Sequence, residues 1–99
     1  MTTNYINNLF CLEDKVAVVI GAGGHLCSAM AIGLARAGAT IAVLDLRLDK
    51  ALKVADEISE FGGNAISMAI DVSKKEEHVK ALDHVLKKFK KIDILINGA

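Results

Sequence analysis

The stretch that decides the fold is VAVVIGAGGHLCSAMAIGLARAGATIAVLD, residues 16–45. Its first five residues are all apolar and predict a buried strand over Val16–Ile20. A glycine turn at residues 21–24 follows, and the small residues after it predict a helix over His25–Ala37. A second apolar run predicts another buried strand over Thr40–Leu44. Neither strand alternates between apolar and polar residues, so we expect both faces of the sheet to be covered.

The rest of the chain repeats this alternation of strand and helix. The next elements predicted are a helix over Asp49–Glu60, with Leu52, Ala55 and Ile58 apolar at helical spacing, and a strand over Asn64–Ile70. The last are a helix opened by the capping box Ser73-Lys-Lys-Glu76, with the stripe Val79, Leu82, Val85, Leu86 and Phe89, and a strand over Ile92–Ile96. Short loops between such elements are typical of an α/β fold with a doubly wound parallel sheet, here in strand order 3-2-1-4. We expect one partial domain over residues 1–99.

The glycine turn and the end of the second strand carry residue types that hold a dinucleotide. Backbone N–H groups of Gly21, Gly23 and Gly24 can approach a pyrophosphate, and the helix after them presents its positive N-terminus. Asp45 follows the second strand, 24 residues after Gly21, where a carboxylate can accept hydrogen bonds from an adenosine ribose. Together these residues predict a dinucleotide site.

The turn departs from the commonest phosphate-binding patterns. Leu26 stands where the third glycine of GxGxxG belongs, and the Gly-Lys-Ser/Thr of a P-loop is missing from the sequence. Methyltransferases share the strand–helix plan but usually carry an acid near the end of the first strand, and receiver domains need an aspartate there. This chain has Val19 and Ile20 at that place. Both classes are therefore disfavoured.

Four landmarks, in order along the chain, resemble the short-chain dehydrogenase/reductase family. Lys15-Val-Ala-Val-Val-Ile-Gly21 resembles the family's first strand and glycine, and Asp45 resembles its NAD-selecting acid. Asp71-Val72 resembles the family's adenine-contacting pair. The start of the family's Asn-Asn-Ala-Gly segment is resembled by Asp93-Ile-Leu-Ile-Asn97-Gly-Ala99. The chain departs from the family pattern at four positions: Ile20 for threonine, His25 and Cys27 for two glycines, and Gly98 for the second asparagine.

The resemblance implies an NAD-dependent oxidoreductase that transfers hydride between NAD and a carbonyl or secondary alcohol, with NADP less favoured. The residues it implies at the cofactor are Gly21, Gly23, Gly24, His25, Leu26, Asp45, Asp71, Val72, Asn97 and Ala99. The turn GAGGHLCSAMA is further similar to a subgroup of D-mannonate oxidoreductases or fructuronate reductases, which implies a sugar-acid substrate. For the intact protein we expect a cytoplasmic homo-oligomer.

Each candidate residue also has a simpler interpretation. Asp45 could be a solvated loop acid, and Arg47 nearby makes the preference for NAD worth testing. Asp71 could be only a polar strand terminus. His25 could be a solvent-facing loop histidine or a pyrophosphate contact. Cys27 could be a reactive thiol at a helix N-terminus, but a small residue that allows close packing is favoured.

Catalytic residues are not assigned in this chain. The family uses a serine, and a tyrosine with a lysine four residues later, all beyond its fourth strand. The sequence has one tyrosine, Tyr5, and Leu9 stands four residues after it. We therefore expect the chain alone to be inactive. Two alternatives remain: a non-catalytic dinucleotide-binding or redox-sensing module, and a structural fragment that does not bind cofactor.

Composition excludes several function classes. Twelve Lys plus Arg balance twelve Asp plus Glu, and only four aromatic residues occur, so neither nucleic acid nor an anionic membrane is favoured as a partner. Residues 16–35 carry no charge, yet the glycines at their centre disfavour a membrane span. Cys11 and Cys27 fit no metal or disulfide pattern, and MTTNYINNLF lacks the features of a signal peptide, so we expect a reduced intracellular setting.

Two features of the C-terminal third complete the expectations. The lysines there are interleaved with acids and predict a solvated helix face, while His78 and His84, six residues apart, are interpreted as surface residues rather than metal ligands. The strand Ile92–Ile96 would form an apolar sheet edge with only Asp93 to protect it. We expect another strand to pair with it, supplied by sequence beyond Ala99 or by a partner subunit.

Overall fold

The computed structural model describes residues 9–98, and the strands and helices in this range alternate as predicted. They are β1 (Val16–Ile20), α1 (His25–Arg36), β2 (Thr40–Asp45), α2 (Leu48–Glu60), β3 (Ala65–Ala69), α3 (Lys75–Phe89) and β4 (Ile94–Asn97). The four strands form one sheet in the order β3-β2-β1-β4, and every pairing is parallel. The predicted fold class and strand order are confirmed.

Two apolar clusters cover the two faces of the sheet. On one face, alternate residues of β1 and β2 pack under α1 and α2, in the cluster Ala17, Val19, Ile41, Val43, Cys27, Ala31, Ala35, Val54 and Ile58. On the other face the intervening residues pack under α3, in the cluster Val16, Val18, Ile20, Ala42, Leu44, Ala81 and Val85. Helices on both faces explain why β1 and the centre of β2 contain no polar residue.

The expectation that both faces of the sheet are covered is wrong at β4. Ile94 and Ile96 join the cluster under α1 and α2, but Leu95, on the opposite face, is 58% exposed. Among the described residues, the cluster under α3 contains members of β1 and β2 and none of β4. Helix α3 therefore covers the centre of the sheet and leaves this face of β4 bare.

The predicted capping box at the start of α3 is also wrong. The helix begins at Lys75, and no side chain in the described part of the chain caps it. The hydroxyl of Ser73 instead donates to Oδ1 of Asp71 at 2.6 Å. A carboxylate two residues upstream accepts from that hydroxyl, so Ser73 closes the loop after β3 rather than the first turn of the helix.

The apolar stripes predicted on α2 and α3 are only partly buried. Leu52, Val79 and Leu86 are exposed, whereas the buried positions of the two helices are Ala51, Val54, Ala55, Ile58, Ala81 and Val85. The lysines of the C-terminal third are exposed as predicted, at positions 74, 75, 80, 87, 88, 90 and 91. Within residues 9–98, no helix is long and apolar enough to cross a membrane.

Candidate functional site

The predicted site residues converge because parallel strands end at the same edge of the sheet. The register aligns Ile20 with both Leu44 and Asn97 at the carboxyl ends of β1, β2 and β4. The glycine turn, Asp45 and Asn97 therefore lie at one edge, and Asp71 follows β3 at the same edge. Strands β2 and β4 flank β1 on opposite sides, and the crevice at such a reversal is where open α/β sheets bind ligands.

The glycine turn is fastened to the end of β2. The N–H groups of Gly21 and Ala22 both donate to the carbonyl of Leu44, at 2.8 and 3.0 Å. The carbonyl of Gly21 in turn accepts from the N–H of Gly24 at 3.0 Å. Gly21 has a φ of 78°, in the left-handed region, so a residue with a Cβ would be strained there. This backbone brings the turn over the carboxyl end of the sheet.

The carboxylate of Asp45 joins the turn to the second strand. Its Oδ2 accepts from the N–H of Gly23 at 2.8 Å, and its Oδ1 accepts from the N–H of Arg47 at 2.9 Å. A Cβ at position 23 would lie 2.8 Å from that Oδ2 and 2.5 Å from Cβ of Lys50, so the close approach requires glycine. Each carboxylate oxygen can accept a further hydrogen bond, which leaves Asp45 able to accept from a ligand hydroxyl.

The first turn of α1 presents an uncompensated positive end. Gly24 is the N-cap residue, no side chain of residues 9–98 caps it, and the helix starts without an acidic residue. His25 and Leu26 are exposed, while Cys27 is buried. The N–H groups at the start of a helix have no partner within it, and together with the helix dipole they favour an anion.

Two departures from the family pattern meet at one contact. A Cβ built on Gly98 would overlap Sγ of Cys27, and the N–H of Gly98 donates to the carbonyl of Ile20 at 2.9 Å. The thiol at position 27 therefore occupies the space that a side chain at position 98 would need. The favoured interpretation of Cys27 as a small packing residue agrees with this contact. The sequence signal for this contact is a pair of compensating sizes, since Cys27 is larger and Gly98 smaller than the family's residues at the two positions.

The loop after β3 holds Asp71 and Val72 beside the site. Oδ1 of Asp71 accepts from the N–H and the hydroxyl of Ser73, at 3.0 and 2.6 Å. These hydrogen bonds, the hydroxyl's first, lower the pKa of Asp71 below its ordinary value, and Lys74 adds to the effect. The carboxylate is therefore ionised at neutral pH and acts as a hydrogen-bond acceptor.

Two lysines of α2, Lys50 and Lys53, were missed by the sequence prediction, whereas Arg47, just before that helix, was considered. Nη2 of Arg47 pairs with Oδ2 of Asp49 at 3.2 Å, so the cation near Asp45 has an acidic partner. Lys50 and Lys53, one turn apart, line a cavity of about 340 Å³ with Gly23, His25, Ser28, Val54 and Glu57. The spacing of the two lysines predicts a shared helix face, but their position beside the turn depends on how α2 packs.

Some predicted positions lie outside the described residues, namely Ala99 of the cofactor set and the tyrosine at position 5. Asn97 ends β4 and is exposed at the same edge as the turn. The described part of the chain contains no group of three or more His, Cys, Asp or Glu side chains placed to hold a metal ion.

The parallel sheet, its strand order and the helices on both faces define a Rossmann-type α/β fold. The chain belongs to the short-chain dehydrogenase family, because the family model described as "short chain dehydrogenase" matches residues 15–99. The family resemblance read from the sequence is thereby confirmed.

Individual relatives cover most of this chain with a fraction of their own length. The 7α-hydroxysteroid dehydrogenase of Escherichia coli (strain K12) is 38% identical over 88 residues, which are 89% of this chain and 34% of that protein. The uncharacterized oxidoreductase UxuB of Bacillus subtilis (strain 168) is 42% identical over 88 residues, or 32% of its length. The chain thus spans about a third of the curated relatives it matches.

Two solved structures similar to this chain contain a nicotinamide dinucleotide. A protein from Haemophilus influenza, provisionally named a D-mannonate oxidoreductase and bound to NAD, has a TM-score of 0.87 and 41% identity over 95% of this chain and 34% of its own. A 7α-hydroxysteroid dehydrogenase complexed with NADH and 7-oxo glycochenodeoxycholic acid has a TM-score of 0.86 and 37% identity, covering 91% of this chain and 35% of its own. The family is one of oxidoreductases with a nicotinamide dinucleotide cofactor.

Proposed function

We propose that residues 1–99 are the partial NAD-binding domain of an oxidoreductase that transfers hydride between NAD and a carbonyl or secondary alcohol. The observation that carries the proposal is the carboxylate of Asp45, joined to the N–H of Gly23 at 2.8 Å at the carboxyl end of the sheet. NAD supplies the hydride chemistry when it is bound. The residues of this chain bind and orient it.

Each predicted residue has a role that fits its position. The N–H groups of His25 and Leu26 at the start of α1 would hold the pyrophosphate, because those of Gly21, Gly23 and Gly24 already donate within the chain. The three glycines would instead let the backbone of the turn come close to the pyrophosphate. Asp45 would accept from the adenosine ribose, Asp71 and Val72 would contact the adenine, and Asn97 and Ala99 would line the site at the end of β4. The catalytic serine, tyrosine and lysine of the family have no assigned counterpart here.

The substrate class follows from similarity rather than from geometry. The turn GAGGHLCSAMA is similar to D-mannonate oxidoreductases, and the provisionally named protein from Haemophilus influenza supports a sugar acid as substrate. The hydroxysteroid dehydrogenase is about as similar, so both a sugar acid and a hydroxysteroid should be assayed with the intact protein. Membership of an oxidoreductase family does not favour the non-catalytic module.

NAD should be preferred over NADP because Asp45 would repel a 2′-phosphate. Two unit charges 4 Å apart interact by about 1 kcal/mol in water and by about 4 kcal/mol near a protein surface, so the preference should be about fivefold or more. Arg47 could oppose this preference, but its guanidinium is paired with Asp49.

The test is calorimetric titration of the chain and its Asp45→Asn variant with NAD and NADP. The wild type should prefer NAD, and the variant should lose most of that preference because the repulsive charge is gone. Asp56→Asn removes an exposed charge on α2 and serves as the control that keeps the preference. Equal affinity of the wild type for both cofactors would refute the role of Asp45, and failure to bind either would refute the proposed function.

A further inference from the structure

Helix α3 fixes the loop at Asp71 and Val72 through three consecutive peptide groups. The N–H of Asp71 donates to Oε1 of Glu77 at 2.9 Å, and the carbonyl of Asp71 accepts from the N–H of Lys74 at 3.0 Å. The carbonyl of Val72 lies 2.9 Å from Nε2 of His78. Because a carbonyl only accepts hydrogen bonds, Nε2 of His78 carries the proton in this contact.

These contacts set the direction of the groups that the loop presents. A trans peptide is planar, with its C=O and N–H pointing in opposite directions. Since the carbonyl of Asp71 points to the start of α3, the N–H of Val72 points away from the helix. Since the carbonyl of Val72 points to His78, the N–H of Ser73 points to the other side, where it donates to the Asp71 carboxylate at 3.0 Å. The N–H of Val72, a donor, and the carboxylate of Asp71, an acceptor, are thus held in fixed directions.

We propose that His78, assisted by Glu77, is a positioning residue that orients Asp71 and Val72 toward the adenine of the cofactor. The proposal rests on the proposed function, which assigns the adenine contact to these two residues. A carboxylate acceptor and a neighbouring N–H donor match the edge of adenine, which offers an amino donor beside a ring-nitrogen acceptor. The sequence interpretation of His78 as a surface residue is therefore incomplete, since its ring reaches back to the loop.

The first experiment compares variants of the two histidines on α3. His78→Ala should weaken NAD binding about three- to tenfold, the loss expected for one hydrogen bond. His78→Gln keeps an N–H donor and should recover most of the affinity. His84→Ala changes an exposed histidine on the same helix and should leave affinity unchanged. A loss in both alanine variants, or in neither, would overturn the proposal.

A second titration separates orientation of the base from general loosening of the fold. Nicotinamide hypoxanthine dinucleotide carries a carbonyl where adenine has its amino group, so it cannot pair with the donor and acceptor of the loop. His78→Ala should therefore weaken the binding of this analogue much less than that of NAD. Equal losses for both dinucleotides would show that His78 acts on the fold and not on the base contact.

Amide hydrogen exchange without cofactor tests whether His78 holds the loop at Asp71 and Val72, independently of NAD binding. In His78→Ala the exchange at Ser73 should accelerate, because the peptide between Val72 and Ser73 loses its anchor, while the exchange at Val18 in the sheet centre should not change. If the wild type fails to bind NAD, the proposed function fails, while this exchange still tests whether His78 holds the loop. Unchanged exchange at Ser73 would show that His78 does not hold it.

Discussion

Strands β1 and β4 are neighbours in the sheet and similar in composition, yet they differ in burial. Val18 pairs with Leu95 across the two strands, and the former is 0% exposed whereas the latter is 58% exposed. On the opposite face both strands contribute to the cluster under α1 and α2. The difference shows that an apolar strand specifies burial without specifying what buries it. Within the described residues, helices cover both faces of β1 but only one face of β4.

The largest effect should come from placing a charge at each of the paired positions. Val18→Asp puts an unpaired carboxylate into the cluster under α3 and should cost at least about 4 kcal/mol, most of the stability of a small domain. Leu95→Asp, on the same face of the neighbouring strand, should cost less than about 1 kcal/mol. Urea unfolding followed by circular dichroism measures both.

Equal costs of the two substitutions would contradict the difference in burial between Val18 and Leu95. If Leu95→Asp proved as costly as Val18→Asp, the bare face of β4 would have to be covered in solution. Repeating the unfolding at several protein concentrations would then show whether a second copy provides that cover, because the cost would rise with concentration.

A middle-sized effect should come from the place where the ends of β1 and β4 are joined. Gly98→Ala forces a methyl group onto Sγ of Cys27 and should destabilise by about 1–3 kcal/mol, as overpacking does. Cys27→Ala in the same chain removes Sγ, leaves a Cβ that the new methyl group meets at 3.6 Å, and should recover most of that loss. A double-mutant cycle measures the coupling between the two positions.

The control for this cycle is a glycine with open space around it. Nothing lies within 4 Å of a Cβ built on Gly33 in α1, so Gly33→Ala should stabilise by about 0.5–1 kcal/mol through helix propensity. Additive effects of Gly98→Ala and Cys27→Ala would show that the two residues do not share one space.

The contrast also marks what could be predicted from the sequence. The alternation of strands and helices was sufficient to predict the strand order. The positions of Asp45 and the glycine turn at the ends of strands were sufficient to predict that they lie close together. Both predictions depend only on local sequence patterns. The packing of Cys27 against Gly98 joins residues far apart in sequence, and the ring of His78 on the Val72 carbonyl depends on how α3 approaches the loop. Such contacts follow from the assembled fold and not from any local pattern.

The smallest effect should be a change in acid stability at the start of the two strands. Oδ2 of Asp93 accepts from the N–H of Val16 at 2.9 Å and lies 3.1 Å from Nζ of Lys91. The hydrogen bond from Val16, and next the contact with Lys91, hold the pKa of Asp93 below its ordinary value of 3.8. Since the folded state has the lower pKa, this contribution to stability is fully present above the unfolded pKa. It is lost as pH falls through the folded pKa.

Asp93→Asn should therefore lower stability at neutral pH by a small amount and flatten its decline below about pH 4 by the same amount. The amide oxygen can still accept from Val16, so the variant removes the titrating charge and keeps the link between β1 and β4. Asp83→Asn, in an exposed pair with Lys87 on α3, is the matched control and should leave the acid profile unchanged. If the two variants gave the same profile in urea unfolding between pH 2 and 7, the carboxylate between β1 and β4 would contribute no more than an ordinary surface charge.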